Sequence, residues 1–224
     1  MNIQTIKAGI DNCYIIKDKS TIIVDAGMPG YFRKLKSGLK QKNINPQDIE
    51  AMVITHCHWD HIGCAKLIKN ITGAKVIVHK NERERLENGG VYMPPGVTRW
   101  GKFFGSFLNH WIKRVKILPC EVDVVVDDDY ALNELGINGK IVHTPGHSPG
   151  SVSIVLDSGE AFVGDLAMDG FPLSFKPGMP IFSEQDIEIV KRSWHKLIDL
   201  GVKKVYPAHG KPFPVEKMKY IIGS

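Results

Sequence analysis

The stretch Thr55-His56-Cys57-His58-Trp59-Asp60-His61 constrains this chain more than any other. Four good metal-ligand side chains, His56, His58, Asp60 and His61, lie within six residues, directly after the apolar run Met52-Val53-Ile54. A strand end is a rigid support, and a loop leaving it can turn several side chains toward one point. Neutral imidazole and carboxylate are the ligand types expected for zinc and related ions. The plain alternative is a surface loop rich in histidine. Such density immediately after a strand argues against chance.

Three further groups share that local context. His147 sits in Thr144-Pro-Gly-His-Ser-Pro-Gly, a rigid turn after the strand expected at Lys140 to His143. Asp165 follows the strand Ala161 to Val163, and His209 in Tyr206-Pro-Ala-His-Gly follows the strand Lys203 to Tyr206. Each lies just past a strand with Gly or Pro beside it, so all seven groups are expected at one kind of sheet edge. Singly, each is weak, since a lone histidine is more often a satisfied structural or surface group. Together they supply five histidines and two aspartates, enough for two metal ions.

The rest of the chain supports an ordinary packed domain. Apolar residues are 43% and charged residues 24% of 224, which excludes disordered, collagen-like and low-complexity classes. Four cysteines, Cys13, Cys57, Cys64 and Cys120, show no C-x-x-C spacing, and a chain of this length needs no disulfide staples. The first residues lack a basic run followed by an apolar stretch, and no window approaches 18 uncharged apolar residues. Neither a signal peptide nor a membrane span is expected, and the cytoplasm is the expected location.

Strands are expected at Ile3 to Lys7, Cys13 to Lys17 and Thr21 to Val24, split by turns at Gly-Ile-Asp-Asn and Asp-Lys-Ser. A helix at Tyr31 to Lys42 carries five basic residues and no acid. A strand at Glu50 to Thr55, a loop at His56 to Gly63, a helix at Gly63 to Asn70 and a strand at Lys75 to Val78 follow. Lys140 to Val163 reads as consecutive strands. Ser183 to Leu200 reads as a helix, with Ser183 and Asp186 forming a capping box and Ile187, Val190, Trp194, Leu197 and Ile198 on one face. The mixture predicts α+β architecture, sheet covered by outer helices, with no linker marking a boundary: one domain over 1–224.

The order His-x-His-x-Asp-His, then His147 in TPGH, Asp165, and His209 in PAHG, resembles the metallo-β-lactamase superfamily. Val24-Asp25-Ala-Gly is similar to that family's first motif. The resemblance spans Asp25 to His209. It implies a four-layer αββα sandwich with the metals at one edge. It also implies a division of ligands: His56, His58 and His147 on one ion, Asp60, His61 and His209 on the other, and Asp165 bridging. Asp25 would brace the metal loop through hydrogen bonds; its other reading is a turn residue tolerant of unusual backbone angles.

That resemblance implies two Zn²⁺ per chain, with Fe or Mn as alternatives. A metal-bridging hydroxide would attack a small ester, thioester or lactone, and Asp60 would serve catalysis by moving the water's proton to the leaving group. The centre, mildly cationic after its carboxylates are counted, favours anionic or ester-type substrates. Asp165 stands where some β-lactamases place a cysteine, which favours the glyoxalase II, lactonase and nuclease branches. Only 15 residues follow His209, too few for the helical glutathione-binding domain of glyoxalase II. Met168 replaces the tyrosine usual in acyl-homoserine lactonases, and the long tRNA-gripping insertion of processing nucleases is absent. A mononuclear iron sulfur dioxygenase and a phosphodiester hydrolase or nuclease are the alternatives. The expected partner is a small-molecule substrate; a homodimer is open, and the net charge of +5 does not by itself call for nucleic acid.

A variable aromatic and basic insertion occupies about 89–116. Trp100, Phe103, Phe104, Phe107, Leu108, Trp111, Ile112 and Val115 recur at helical spacing, with Arg99, Lys102, Lys113 and Arg114 opposite. Three readings apply: a core-covering helix, a wall or lid of the substrate pocket, or a basic amphipathic contact with a membrane surface. His79, His110, His143 and His195 stand outside the ligand set; His143 is expected to support the turn to His147. Cys57, between two ligands, is expected to point away from the metals.

Overall fold

The computed structural model describes residues 1–170 and 178–223. Strands β1 (Asn2–Ala8), β2 (Asp11–Lys17), β3 (Thr21–Val24), β4 (Ile49–Val53), β5 (Lys75–His79) and β6 (Val124–Val126) form one sheet in that order. The second sheet runs β12 (Phe213–Pro214), β11 (Lys204–Pro207), β10 (Glu160–Gly164), β9 (Val152–Leu156), β8 (Gly139–His143), β7 (Tyr130–Ala131). The hairpins β1–β2–β3 are antiparallel and the crossovers β3–β4–β5–β6 parallel. In the second sheet only β10–β11 is parallel.

Doublets such as Ile15-Ile16 and Ile22-Ile23 explain the layering. Successive strand side chains point to opposite faces, so an apolar pair marks a strand buried on both. Ile16, Ile22 and Val53 meet Ile141, Ile154 and Phe162 between the sheets. Ile15, Ile23 and Met52 face outward onto the helices α1 (Phe32–Gln41), α2 (Trp59–Ile62), α3 (Ala65–Thr72) and α4 (Arg83–Asn88) through Leu35, Leu39, Ile62, Ile68 and Leu86. On the far side Val142, Val163 and Val205 pack under α6 (Ile187–Asp199) and α7 (Glu216–Gly223) through Val190, Trp194, Leu197 and Met218. The result is the four-layer αββα sandwich. The remaining helix, α5 (Arg99–Ile112), lies in the inserted region.

Three local expectations are corrected. Asp11 and Asn12, read as turn residues, open β2 and are buried, because their side chains are consumed by the opposite sheet. Asp186, not Ser183, caps α6, its carboxylate accepting from the Glu188 N–H at 2.8 Å. Ser183 instead donates to the Gly146 and Gln185 carbonyls. The His56 to Gly63 loop includes the single turn α2, and α3 starts at Ala65. All four cysteines are buried and free. Among the described residues no helix is long and apolar enough to cross a membrane.

Candidate metal centre

The parallel crossovers bring strand ends to one edge of the sandwich, where side chains can converge. His56 follows β4, Asp165 follows β10, His209 follows β11, and the 144–151 turn after β8 carries His147. The two sheets nearly touch here: a Cβ on Gly164 would lie 2.4 Å from Thr55 Oγ1, so only glycine allows the approach that sets Asp165 beside His56. All seven expected residues are buried and meet at this edge.

Three groupings of ligand atoms form within 4.8 Å: His56, His58 and His147; Asp11, Asp60, His61 and His209; and His56, His61 and Asp165. Asp165 stands between the first two. Its Oδ1 lies 3.3 Å from His61 Nε2 and 3.2 Å from His209 Nε2, and its Oδ2 lies 3.6 Å from His147 Nε2.

Four of the five imidazoles are hydrogen-bonded through one nitrogen, leaving the other toward the centre, and His209 is faced by a carboxylate. His56 Nδ1 meets Thr55 Oγ1 at 3.1 Å. His58 Nε2 meets Glu184 at 2.7 Å. His147 Nδ1 donates to the Phe182 carbonyl at 3.0 Å. His61 Nδ1 meets Asp25 at 3.0 Å, and His209 Nδ1 faces Asp11 Oδ1 at 3.2 Å. Anchoring the outer nitrogen fixes ring orientation and raises ligand basicity. His56 Nε2, His61 Nε2 and Asp165 Oδ1 are buried with no hydrogen-bond partner, a cost that a bound cation removes.

The electrostatics divide in two. Burial and the neighbouring imidazoles push His56 well below the usual histidine range. Burial carries His147 down to about 3. Both rings are neutral, as ligands must be. Burial also opposes charge on His61 and His209, but Asp165 with Asp25, and Asp165 with Asp11, outweigh it and raise both. Asp165 is itself held well below the carboxylate range, against burial, by His209 and His61. The acid-rich half of the site thus favours positive charge, which a divalent cation can supply. The residues fit bound metal.

The sequence profile described as the Metallo-beta-lactamase superfamily matches residues 6–209. This chain belongs to the metallo-β-lactamase superfamily. A probable metallo-hydrolase of Methanocaldococcus jannaschii, MJ0888, is 28% identical over 202 residues, 89% of this chain and 87% of its own. The hydroxyacylglutathione hydrolase GloC of Haemophilus influenzae is 28% identical over 177 residues, covering 76% of this chain and 74% of its own. The crystal structure of TTHA1623 in a di-iron-bound form shares the fold at a TM-score of 0.69 and 20% identity, over 98% of this chain and 97% of that one. Metallo-hydrolases are among the superfamily's members, and the donor clusters above are this chain's metal site candidates.

Three acids around this superfamily site escaped sequence reasoning, and one expected brace is found. Asp25 adopts φ 61° and accepts from the Thr55 N–H at 2.8 Å and from Thr55 Oγ1, besides meeting His61. Both of its sequence readings therefore hold. Asp11 lies wholly buried behind His209, and burial plus Asp60 raises its carboxyl well above the usual range. Glu82, wholly buried, accepts from the Cys57 N–H at 2.9 Å, Ser148 Oγ at 2.6 Å and the Gly150 N–H at 3.2 Å, joining the His56–His61 loop to the His147 turn. Glu184 bridges His58 to Arg85, which it meets at 2.5 and 2.8 Å, and despite burial Arg85 and His58 draw its pKa down to about 2. Asp11 was masked by its turn-like Gly-Ile-Asp-Asn setting; Glu82 and Glu184 lie in ordinary polar stretches.

His143 Nε2 bonds the Pro149 carbonyl at 3.0 Å and its ring stacks on His79, so it supports the His147 turn. Cys57 packs into the outer core, away from the donors. The α5 stripe divides. Trp100, Phe104 and Leu108 pack with Met93 on Met168, Ile181 and Phe182, while Phe103, Phe107 and Trp111 are exposed. Leu108, Met93 and Phe182 also line the hollow over the donors, which is about 30 Å³, room for little more than water-sized occupants.

Replacing Asp11 with alanine is expected to leave the fold intact and weaken metal retention by the Asp60–His61–His209 group about 10–100-fold. Metal analysis after dialysis against graded chelator checks this, a retention curve equal to wild type being the contrary result.

Proposed function

We propose that this chain is a dinuclear metal-dependent hydrolase, with zinc as its ion, that cleaves a small thioester, ester or lactone. His56, His58 and His147 would hold one ion and Asp60, His61 and His209 the other, with Asp165 shared. The observation that carries this reading is Asp165, whose two oxygens face the two histidine groups separately. A single ion within one histidine group would leave the oxygen that faces the other group without a cation, which disfavours the mononuclear iron alternative. When bound, such ions lower the pKa of a water and polarise the substrate carbonyl.

The chain's own groups do the rest. Asp60, held below the usual carboxylate range by His209 and His61 against burial, is ionised and able to accept a proton from the attacking water and pass it to the leaving group. Leu108, Met168 and Phe182 form an apolar wall that keeps bulk water from the reacting atoms. Thioesters rank first because two relatives, one of them matched over 74% of its own length, are named hydroxyacylglutathione hydrolases. The free, buried thiols suit a cytoplasmic location.

The test combines metal analysis with a panel of thioesters, esters, lactones and phosphodiesters. About two zinc per chain and thioester turnover are expected. Exhaustive chelation should remove the activity and added Zn²⁺ restore it. Turnover that survives chelation, or about one iron per chain with oxygen uptake, would sink the reading.

A further inference from the structure

The hollow over the donors opens into a groove of about 540 Å³; the two share Ile10, Trp59, Leu108 and His209. Met28 and Phe104 complete an apolar lining, and Asp169, its acid, is engaged by Lys217 at 3.7 Å. The groove also reaches Lys7 on β1. Lys7 in turn lines a second hollow, of about 340 Å³, together with Lys34 and Lys42 of the α1 region. Ser37 joins that hollow to a third, bordered by Arg33, Lys36 and Lys40. Gly38 makes this continuity: a Cβ there would lie 2.5 Å from Ile6, so its absence lets α1 settle against β1 beside Lys7. Lys34, Gly38 and Lys42 fall on one helix face at four-residue spacing. Lys7, Arg33, Lys34, Lys36, Lys40 and Lys42 form no ion pair among the described residues, and Lys34 lies over the Tyr31 ring at 5.8 Å.

Among the described residues the path begins at the candidate metal donors, crosses an apolar stretch whose lining holds no cation before Lys7, and ends on cations that form no ion pair. A nucleic acid carries phosphate at every step and would place charge along the apolar stretch. A leaving group with an uncharged arm and a phosphorylated end matches each part in order. We propose, resting on the hydrolase reading above, that the substrate is an acyl thioester of a phosphorylated thiol carrier of the coenzyme A type, its arm lying over Trp59 and Leu108 and its phosphates meeting Lys7 and Lys34. In the reaction water's oxygen bonds to the acyl carbon and the C–S bond breaks. The sulfur leaves with its electron pair and takes one of water's protons; the other goes to solvent with the carboxylate product.

The experiment compares one butyryl group carried on coenzyme A, glutathione and N-acetylcysteamine, using metal-loaded full-length protein, and titrates free coenzyme A calorimetrically. The coenzyme A thioester should show kcat/KM higher by about tenfold or more, an advantage that shrinks with salt. In Lys7→Glu/Lys34→Glu, two exposed positions, its KM should rise and free coenzyme A should bind about tenfold more weakly. Equal kcat/KM for the three thioesters, or coenzyme A binding indifferent to the substitutions, overturns the inference and leaves the hydrolase reading standing. Lysine-dependent coenzyme A binding with no turnover of any thioester supports the anionic subsite and overturns thioester hydrolysis instead. Single-stranded RNA that displaces coenzyme A and is cleaved with the same lysine dependence overturns the inference in favour of nucleic acid.

Discussion

Asp165→Ala is expected to reduce hydrolysis at least ~10³-fold, equivalent to about 4 kcal/mol of transition-state stabilisation. The size follows from its position. Its two oxygens face His61 and His209 on one side and His147 on the other, at 3.2 to 3.6 Å, so alanine removes a donor from both groups at once. It also removes the acid that lies closest to the His61 and His209 Nε2 atoms. Metal content should therefore fall with activity, toward one ion or none. Asp165→Asn separates charge from shape: the amide keeps an oxygen but not the negative charge, and metal content should lie between wild type and alanine. Inductively coupled plasma analysis beside kcat/KM checks both variants. An alanine variant with two ions and unchanged turnover would refute the assignment.

Glu82→Ala is expected to cost about 3 kcal/mol in stability, the scale of leaving a buried polar network without its charged partner. For a chain of this size that lowers Tm by roughly 6–12 °C. The carboxylate collects the Cys57 N–H, Ser148 Oγ and Gly150 N–H, and its removal leaves those donors buried without it. It touches none of the metal donors, yet it fixes the spacing of the two loops that carry His58 and His147. Calorimetry and metal analysis should show lower Tm and weaker retention of the His56–His58–His147 ion together. A variant with wild-type Tm would show that water or a neighbour replaces Glu82 fully. Glu82→Gln, which keeps one acceptor, should fall between.

The convergence of the seven candidate residues was legible because metal chemistry demands particular side chains, and these sit where strands end. Sheet covered by outer helices was legible from the mixture of strands and helices, while the four-layer order was implied by the family resemblance and not read from the strands' apolar doublets. The residues that hold the donors were not. Asp11 before Asn12 looks like turn chemistry, and nothing local reveals that Asn12 Nδ2 will donate to the Pro207 and Gly210 carbonyls, 195 and 198 residues away. Glu82 sits in the polar run Lys80-Asn81-Glu82-Arg83-Glu84, indistinguishable there from solvated acids. Supports of this kind are chosen by tertiary proximity, which composition and period do not carry. The Ser183 cap failed for a related reason: Asp186 lies nearer the first apolar turn, and the Gly146 carbonyl claims the Ser183 hydroxyl.

Tyr14 Oη and Asn12 Nδ2 both grip the Pro207 carbonyl, at 2.6 and 3.1 Å, so the second strand seats the last donor loop. In a chain made from its amino end, His56 and His58 are in place long before His147, Asp165 and His209 arrive. A growing polypeptide can offer an ion only a partial grasp until β11 pairs with β10 and docks against β2. An ion that needs all seven residues would therefore act as a seal on a completed fold rather than as the seed around which it gathers.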